Sequence, residues 1–252
     1  MILWHVIKGD TTLKLKDSQM VGQESNDRPK IIAAIPAYNE EAFIGGVVSK
    51  ARRYVDEVIV VDDGSTDNTS KTAQAAGARV IKHKANQGAG AAIRTAFEAA
   101  KRSHADILVS LDGDGQHNAD EIPQLLAPIL NEKADLVIGS RFLHPNLHNM
   151  PKYRRFGIGV ITFLYNFGSR VRVSDSQSNF RAYNRKVIEA VSITEAGFGF
   201  SVQVLIQVRK RGFIIKEVPA SCIYHSQSST LNPVTHGLVV AFDVIKHRLL
   251  GR

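Results

Sequence analysis

Asp112 and Asp114 stand one residue apart in LDGDGQH (111–117), directly after the apolar run ADILVS (105–110). Like charges this close raise each other's pKa unless a cation sits between them. Carboxylate oxygens suit hard divalent ions such as Mg2+ or Mn2+, whose shells substrate phosphates often complete. Gln116 or His117 is a candidate for one further ligand, and Gly113 and Gly115 keep the turn tight. A solvated Asx-rich turn is the bland alternative. The buried run before the pair, and a second acidic cluster elsewhere, favour the metal.

That second cluster is DDGSTDNT (62–69). Asp62 or Asp63 is placed to accept hydrogen bonds from a base or ribose, Gly64 allows close backbone approach, and Asp67 reads as a helix cap. PAYNEE (36–41) sets Tyr38, a stacking surface, beside Glu40. In NQGAGAA (86–92), Gly88 opens a helix whose first N–H groups are expected to face an anion.

The elements that position these motifs repeat. Runs 31–36, 56–63, 78–83, 105–112 and 134–142 read as strands, and 39–54, 67–77, 88–103 and 118–131 as helices, with Asn39 expected to cap the first. Alternating strands and helices imply a mostly parallel α/β sheet with helices on both faces, whose ligands bind at the carboxyl ends of the strands. PAYNEE, DDGSTDNT, DGDGQH and GSRF (139–142) all follow strands. Further on, 154–170 reads as a helix apolar nearly all round, 197–212 as a helix, and 213–225 as strand broken at Pro219. The last segment, 232–252, carries an amphipathic stripe of Leu238, Phe242, Ile245 and Leu249.

Charge divides the chain. Residues 1–140 hold 16 Lys and Arg against 19 Asp and Glu, a net −3, and the remaining +11 of the total +8 lies in 141–252. A basic half suits an anionic partner such as a phosphate or a lipid surface. Nucleic acid is disfavoured because no recognised binding motif is present. A single cysteine, Cys222, excludes an intrachain disulfide and fits a reducing compartment. No apolar run nears the ~20 residues of a membrane span, and no secretory signal is evident.

Together, PAYNEE, DDGSTDNT, NQGAGAA and DGDGQH resemble, in order and spacing, the family 2 glycosyltransferases with their nucleotide-sugar-binding GT-A fold. Within that family, IGSRF (138–142), the pair Arg154–Arg155, FRAYNRKV (180–187) and the G-F-x-x-x-E-V-P segment (212–219) are most similar to dolichol-phosphate mannose synthases and other polyprenyl-phosphate glycosyltransferases. The resemblance implies that Pro36, Tyr38, Glu40, Asp63, Gly88 and Asp112 bind the nucleotide sugar. It implies that Asp114 and Gln116, with Asp112, hold Mn2+ or Mg2+. Arg141, Arg154 and Arg155 would grip the acceptor phosphate, a task suited to guanidinium groups.

The implied reaction is inverting sugar transfer to a polyprenyl or dolichyl phosphate by an enzyme held peripherally at the cytoplasmic membrane face. A soluble glycan acceptor is the alternative, and a non-catalytic nucleotide-sugar module a third. Many relatives acting on hydroxyls carry an acidic base near the segment that here reads GFGFSVQ (197–203), without Asp or Glu. Other departures are RRFGIG (154–159), YHSQSS (224–229), and Asn179, where glycine is common. The expected organisation is an N-terminal extension (1–29), a GT-A domain (30–225) with a nucleotide-sugar half to 140 and an acceptor half from 141, and a C-terminal amphipathic helix (226–252).

Overall fold

The structure is a computed structural model that describes residues 28–144 and 150–223. The N-terminal extension and the C-terminal amphipathic stripe lie outside the described residues, apart from Arg28 and Pro29. Seven strands form one sheet in the order β3-β2-β1-β4-β6-β5-β7. They are β1 (Ile31–Ala37), β2 (Glu57–Asp62), β3 (Arg79–Lys82), β4 (Ile107–Ser110), β5 (Leu136–Ser140), β6 (Arg181–Asn184) and β7 (Ile215–Pro219). Only β6 runs against its neighbours; every other pair is parallel. The carboxyl ends of β1, β2, β4 and β5 therefore share one edge, and all four polar motifs meet there.

The helices are α1 (Ile44–Ala51), α2 (Thr69–Ala75), α3 (Ala89–Arg102), α4 (Ile122–Leu130), α5 (Lys152–Asn166), α6 (Arg185–Ala190) and α7 (Phe200–Lys210). Strand alternation sorts the core. Ile32 and Ala34 of β1 join Ile93 of α3, Tyr165 of α5, Val187 of α6 and Leu205 of α7 on one face. Ile31, Ala33 and Ile35 pack with Ile44 of α1, Ala73 of α2 and Leu125 of α4 on the other. This is the GT-A-type arrangement, a mostly parallel sheet covered on both faces.

Several local expectations are corrected. Asn39 does not cap α1: it adopts φ +56°, and its Oδ1 accepts the Thr66 N–H at 2.9 Å, stitching the β1 loop to the β2 loop. Helix α1 starts only at Ile44. Asp67 lies one residue before the α2 cap position, Asn68, and binds the Thr69 N–H at 2.9 Å. Segment 118–131 begins as a 3-10 turn capped by Asn118, and its Pro123 falls in the first turn of α4, where a missing N–H costs nothing. Helix α5 is apolar on two faces that serve different ends. Ile161, Thr162 and Tyr165 are buried, whereas Phe156, Phe163 and Phe167 are exposed. Among the described residues no helix is long and apolar enough to cross a membrane.

Candidate active site

The carboxyl ends of β1, β2 and β4 carry a crowd of carboxylates. Glu40, just past β1, is pushed up to about 7 by burial, then by Asp114, Asp112 and Asp67. Asp112, just past β4, is raised by removal from water, against which an Asn179 hydrogen bond, Arg141 and Arg181 pull downward. Its side chain nevertheless keeps 40% of its surface exposed, so it is not sealed in the core. Asp114 Oδ1 accepts the Gln116 N–H at 2.9 Å, and Gly115 takes φ +72°, closing a tight Asx turn.

Gln116 is buried, with its Oε1 3.9 Å from the Cys222 sulfur and its carbonyl accepting the Ile223 N–H at 2.9 Å. His117 stacks on Phe180 at 5.3 Å and is pushed down to about 4, chiefly by burial, with Asp114 pulling the other way. It is neutral at physiological pH and adds no charge to offset the carboxylates. Among the described residues, no three His, Cys, Asp or Glu gather closely enough to hold a metal by themselves. An all-oxygen donor set under mutual repulsion fits a divalent cation whose shell a diphosphate completes.

The DDGS motif serves the loops around it. Asp62 is fully buried and accepts from the Ser65 N–H at 2.7 Å and the Ser70 hydroxyl, with Lys82 Nζ 3.4 Å away. Burial pushes its carboxyl up, but these partners outweigh it and leave it below the usual carboxylate range. Asp63 accepts the Gln87 N–H at 3.0 Å and the Gly88 N–H at 2.8 Å, and contacts His83 Nδ1 at 2.7 Å. The expectation of an open anion site at the start of α3 is corrected. Asp63 takes the Gly88 N–H, and the Ala196 carbonyl takes those of Gly90 and Ala91. Gly88 is there for shape: φ is +96°, and a Cβ would meet the Ala196 oxygen at 2.5 Å. Pro36 is half-buried within β1, paired with Val61, and Tyr38 is exposed at the mouth of the crevice.

Across the crevice the charge logic reverses. Arg141 follows β5 and is gripped in bidentate fashion by Asp175, with Nε to Oδ2 at 2.7 Å and one Nη to Oδ1 at 2.8 Å. Asp175 is fully buried and held below the usual carboxylate range: burial raises it, but Arg141 and backbone N–H groups more than compensate. Its loop is tied in turn to β7, where Glu217 accepts the Ser174 and Asp175 N–H groups at 2.7 and 3.1 Å. Arg154 and Arg155 open α5. Spacing puts half-buried Arg154 on the ridge of Ile161 and Tyr165, facing the body. Arg155 instead borders an open groove with Lys152, Phe156, Val160 and Phe163.

Sequence reasoning assigned no site role to Asp175, Asn179, Arg181 or Glu217, all of which follow residue 141. Arg181 is fully buried, donating to the Ser201 and Ser176 carbonyls at 2.9 Å, and its charge reaches Asp112. The available signal was SDSQSNFR, a dense polar run immediately before a strand.

Comparison with known proteins follows the same lines. The sequence model for Glycosyl transferase family 2 matches residues 32–192. The UDP-N-acetylglucosamine–dolichyl-phosphate N-acetylglucosaminyltransferase of Methanococcus voltae is 35% identical over 222 residues, 79% of this chain and 87% of that protein. A dolichyl-phosphate hexose transferase of Haloferax volcanii is 32% identical, covering 83% and 90%. Among solved structures, Mycobacterium tuberculosis glucosyl-3-phosphoglycerate synthase with Mn2+, UDP and phosphoglyceric acid is 25% identical. It superposes with a TM-score of 0.65, covering 88% of this chain and 78% of that one.

Proposed function

The chain belongs to glycosyl transferase family 2, and from that premise we propose that it moves one sugar from a nucleotide sugar to a polyprenyl or dolichyl phosphate, inverting the anomeric carbon. The observation that carries the acceptor assignment is α5. Phe156, Val160, Phe163 and Phe167 recur at helical spacing and are 75%, 41%, 64% and 66% exposed, with Lys152 and Arg155 beside them. An apolar stripe edged by cations is how a helix lies on an anionic lipid surface. Each such aromatic is worth about 1.5–3 kcal/mol when buried. This supports the reading of a peripheral enzyme working beside its lipid acceptor. The lipid acceptors named for the Methanococcus and Haloferax relatives support the same reading.

The division of labour follows from the charges. Glu40, Asp112 and Asp114 face the donor, with Tyr38 at its mouth for the base. Asp114 and Gln116, with Asp112, would hold the Mn2+ or Mg2+, which supplies positive charge to the departing diphosphate. Arg141 orients the acceptor phosphate, and Asp175 keeps its guanidinium in place. A phosphate oxygen is already anionic, so the attack on the anomeric carbon needs no general base. In keeping with this, Gln203 of the 197–203 segment is turned inward, its Oε1 accepting the Thr194 N–H at 3.0 Å.

The test is direct. Purified protein is incubated with radiolabelled UDP- and GDP-sugars, MnCl2 and extracted polyprenyl phosphates, then partitioned between organic solvent and water. Label entering the organic phase supports the proposal; label transferred only to a water-soluble glycan overturns it.

A further inference from the structure

Asn179 stands just before β6, in the loop between Asp175 and Arg181. Its Nδ2 donates to Asp112 Oδ1 at 2.8 Å. Its backbone is pinned as well, because the Ser110 hydroxyl donates to its carbonyl at 2.6 Å. The next residue, Phe180, stacks on His117, whose Nδ1 lies 3.6 Å from the other Asp112 oxygen. Asn179 is 5% exposed, and its Oδ1 is buried with no hydrogen-bond partner among the described residues. A buried amide left half satisfied weakens a fold. Packing therefore gives no reason to keep the side chain, but its grip on Asp112 does.

We propose that Asn179 is a positioning residue for the donor site: it ties Asp112 by Oδ1 and so presents Oδ2 to the nucleotide sugar. The sheet order supports this assignment. Strand β6 flanks β4 on the side away from β1, so Asn179 braces Asp112 from the acceptor half while the nucleoside motifs of β1 and β2 lie on the opposite side. One amide thus couples the two halves of the site at the carboxylate between them. The inference rests on the donor site proposed above.

The experiment compares wild type with Asn179→Ala and with Asn179→Asp, which keeps the shape but removes the N–H donor. Three readouts are taken: the melting temperature, calorimetric binding of UDP and GDP in MnCl2, and transfer kinetics with donor and acceptor varied separately. The expected result for Asn179→Ala is an unchanged or higher melting temperature, with kcat/KM for the donor reduced at least tenfold and the acceptor KM within twofold of wild type. Asn179→Asp falls at least as far and carries the test if the alanine variant does not fold. A lower melting temperature with unchanged donor kinetics overturns the inference and makes Asn179 a packing residue. An acceptor KM raised as much as the donor KM also overturns it. If wild type glycosylates no lipid yet Asn179→Ala weakens nucleoside diphosphate binding tenfold, the lipid reading fails and the positioning role stands.

Discussion

The two poles of the crevice handle charge in opposite ways. On the donor side, Glu40 and Asp112 are both pushed toward protonation, and the neighbouring His117 stays neutral. On the acceptor side, Arg141 is already neutralised by a buried carboxylate in bidentate contact. Under the proposed function, carboxylates pushed toward protonation sit where a cation would arrive with the substrate, and an ion pair sits where an anion would arrive. A donor pole of this kind is tuned by occupancy. The acceptor pole would be tuned by geometry, because Asp175 fixes the guanidinium plane.

Asp114→Ala breaks the donor pole most severely. Removing a group that stabilises the leaving diphosphate is expected to lower transfer by about 10³-fold or more. Steady-state kinetics at saturating Mn2+ measure it, and a loss below tenfold would remove Asp114 from the metal site. Next comes Arg141→Lys. It keeps the charge and loses the fork that matches both Asp175 and phosphate. The expected cost is about 10–100-fold in kcat/KM for the acceptor, with the donor KM unchanged. Arg141→Ala also strands a buried carboxylate and should destabilise the fold by about 3–5 kcal/mol in urea titrations.

The exposed apolar face of α5 gives a smaller effect. Phe156→Glu with Phe163→Glu should reduce co-sedimentation with anionic vesicles about tenfold at low salt, while activity on a short, water-soluble prenyl phosphate stays near wild type. Unchanged sedimentation would show that α5 does not carry the protein to lipid.

The smallest effect is one of pH. Between the ordinary carboxylate value of 4.5 and about 7, native Glu40 holds more proton than it does unfolded. Stability contributed by this group is therefore present at low pH and declines as pH rises through that window. In EDTA, Glu40→Gln should be more stable than wild type at pH 8 and equal to it near pH 4. A flat difference across that range would mean that neither burial nor its carboxylate neighbours raise Glu40.

The same division governs what was legible in sequence. Donor motifs are contiguous and sit at strand ends, so alternation of IIAAIP, EVIVVD and ILVSLD placed them on one edge before any coordinates. Acceptor residues were harder. Arg141 was visible in GSRF, but its partner Asp175 lies 34 residues on, in a loop with no periodicity. Antiparallel β6, inserted between β4 and β5, creates that contact, and no local pattern announces such an insertion. The reading of Gly88 went astray for a related reason. A Gly-x-Gly start looks like an anion cradle, yet Ala196, more than 100 residues away, supplies the carbonyl that occupies it. Asn39 shows the local version: an ideal cap residue was recruited to hold a neighbouring loop.

The central claim is that the acceptor is an anion that needs no base. The most direct measurement offers the protein a polyprenyl phosphate and the corresponding polyprenol side by side, with the same labelled nucleotide sugar and Mn2+. The account predicts that label appears on the phosphate and stays at background on the alcohol. Comparable labelling of the alcohol would contradict it, because the site would then have to contain a general base.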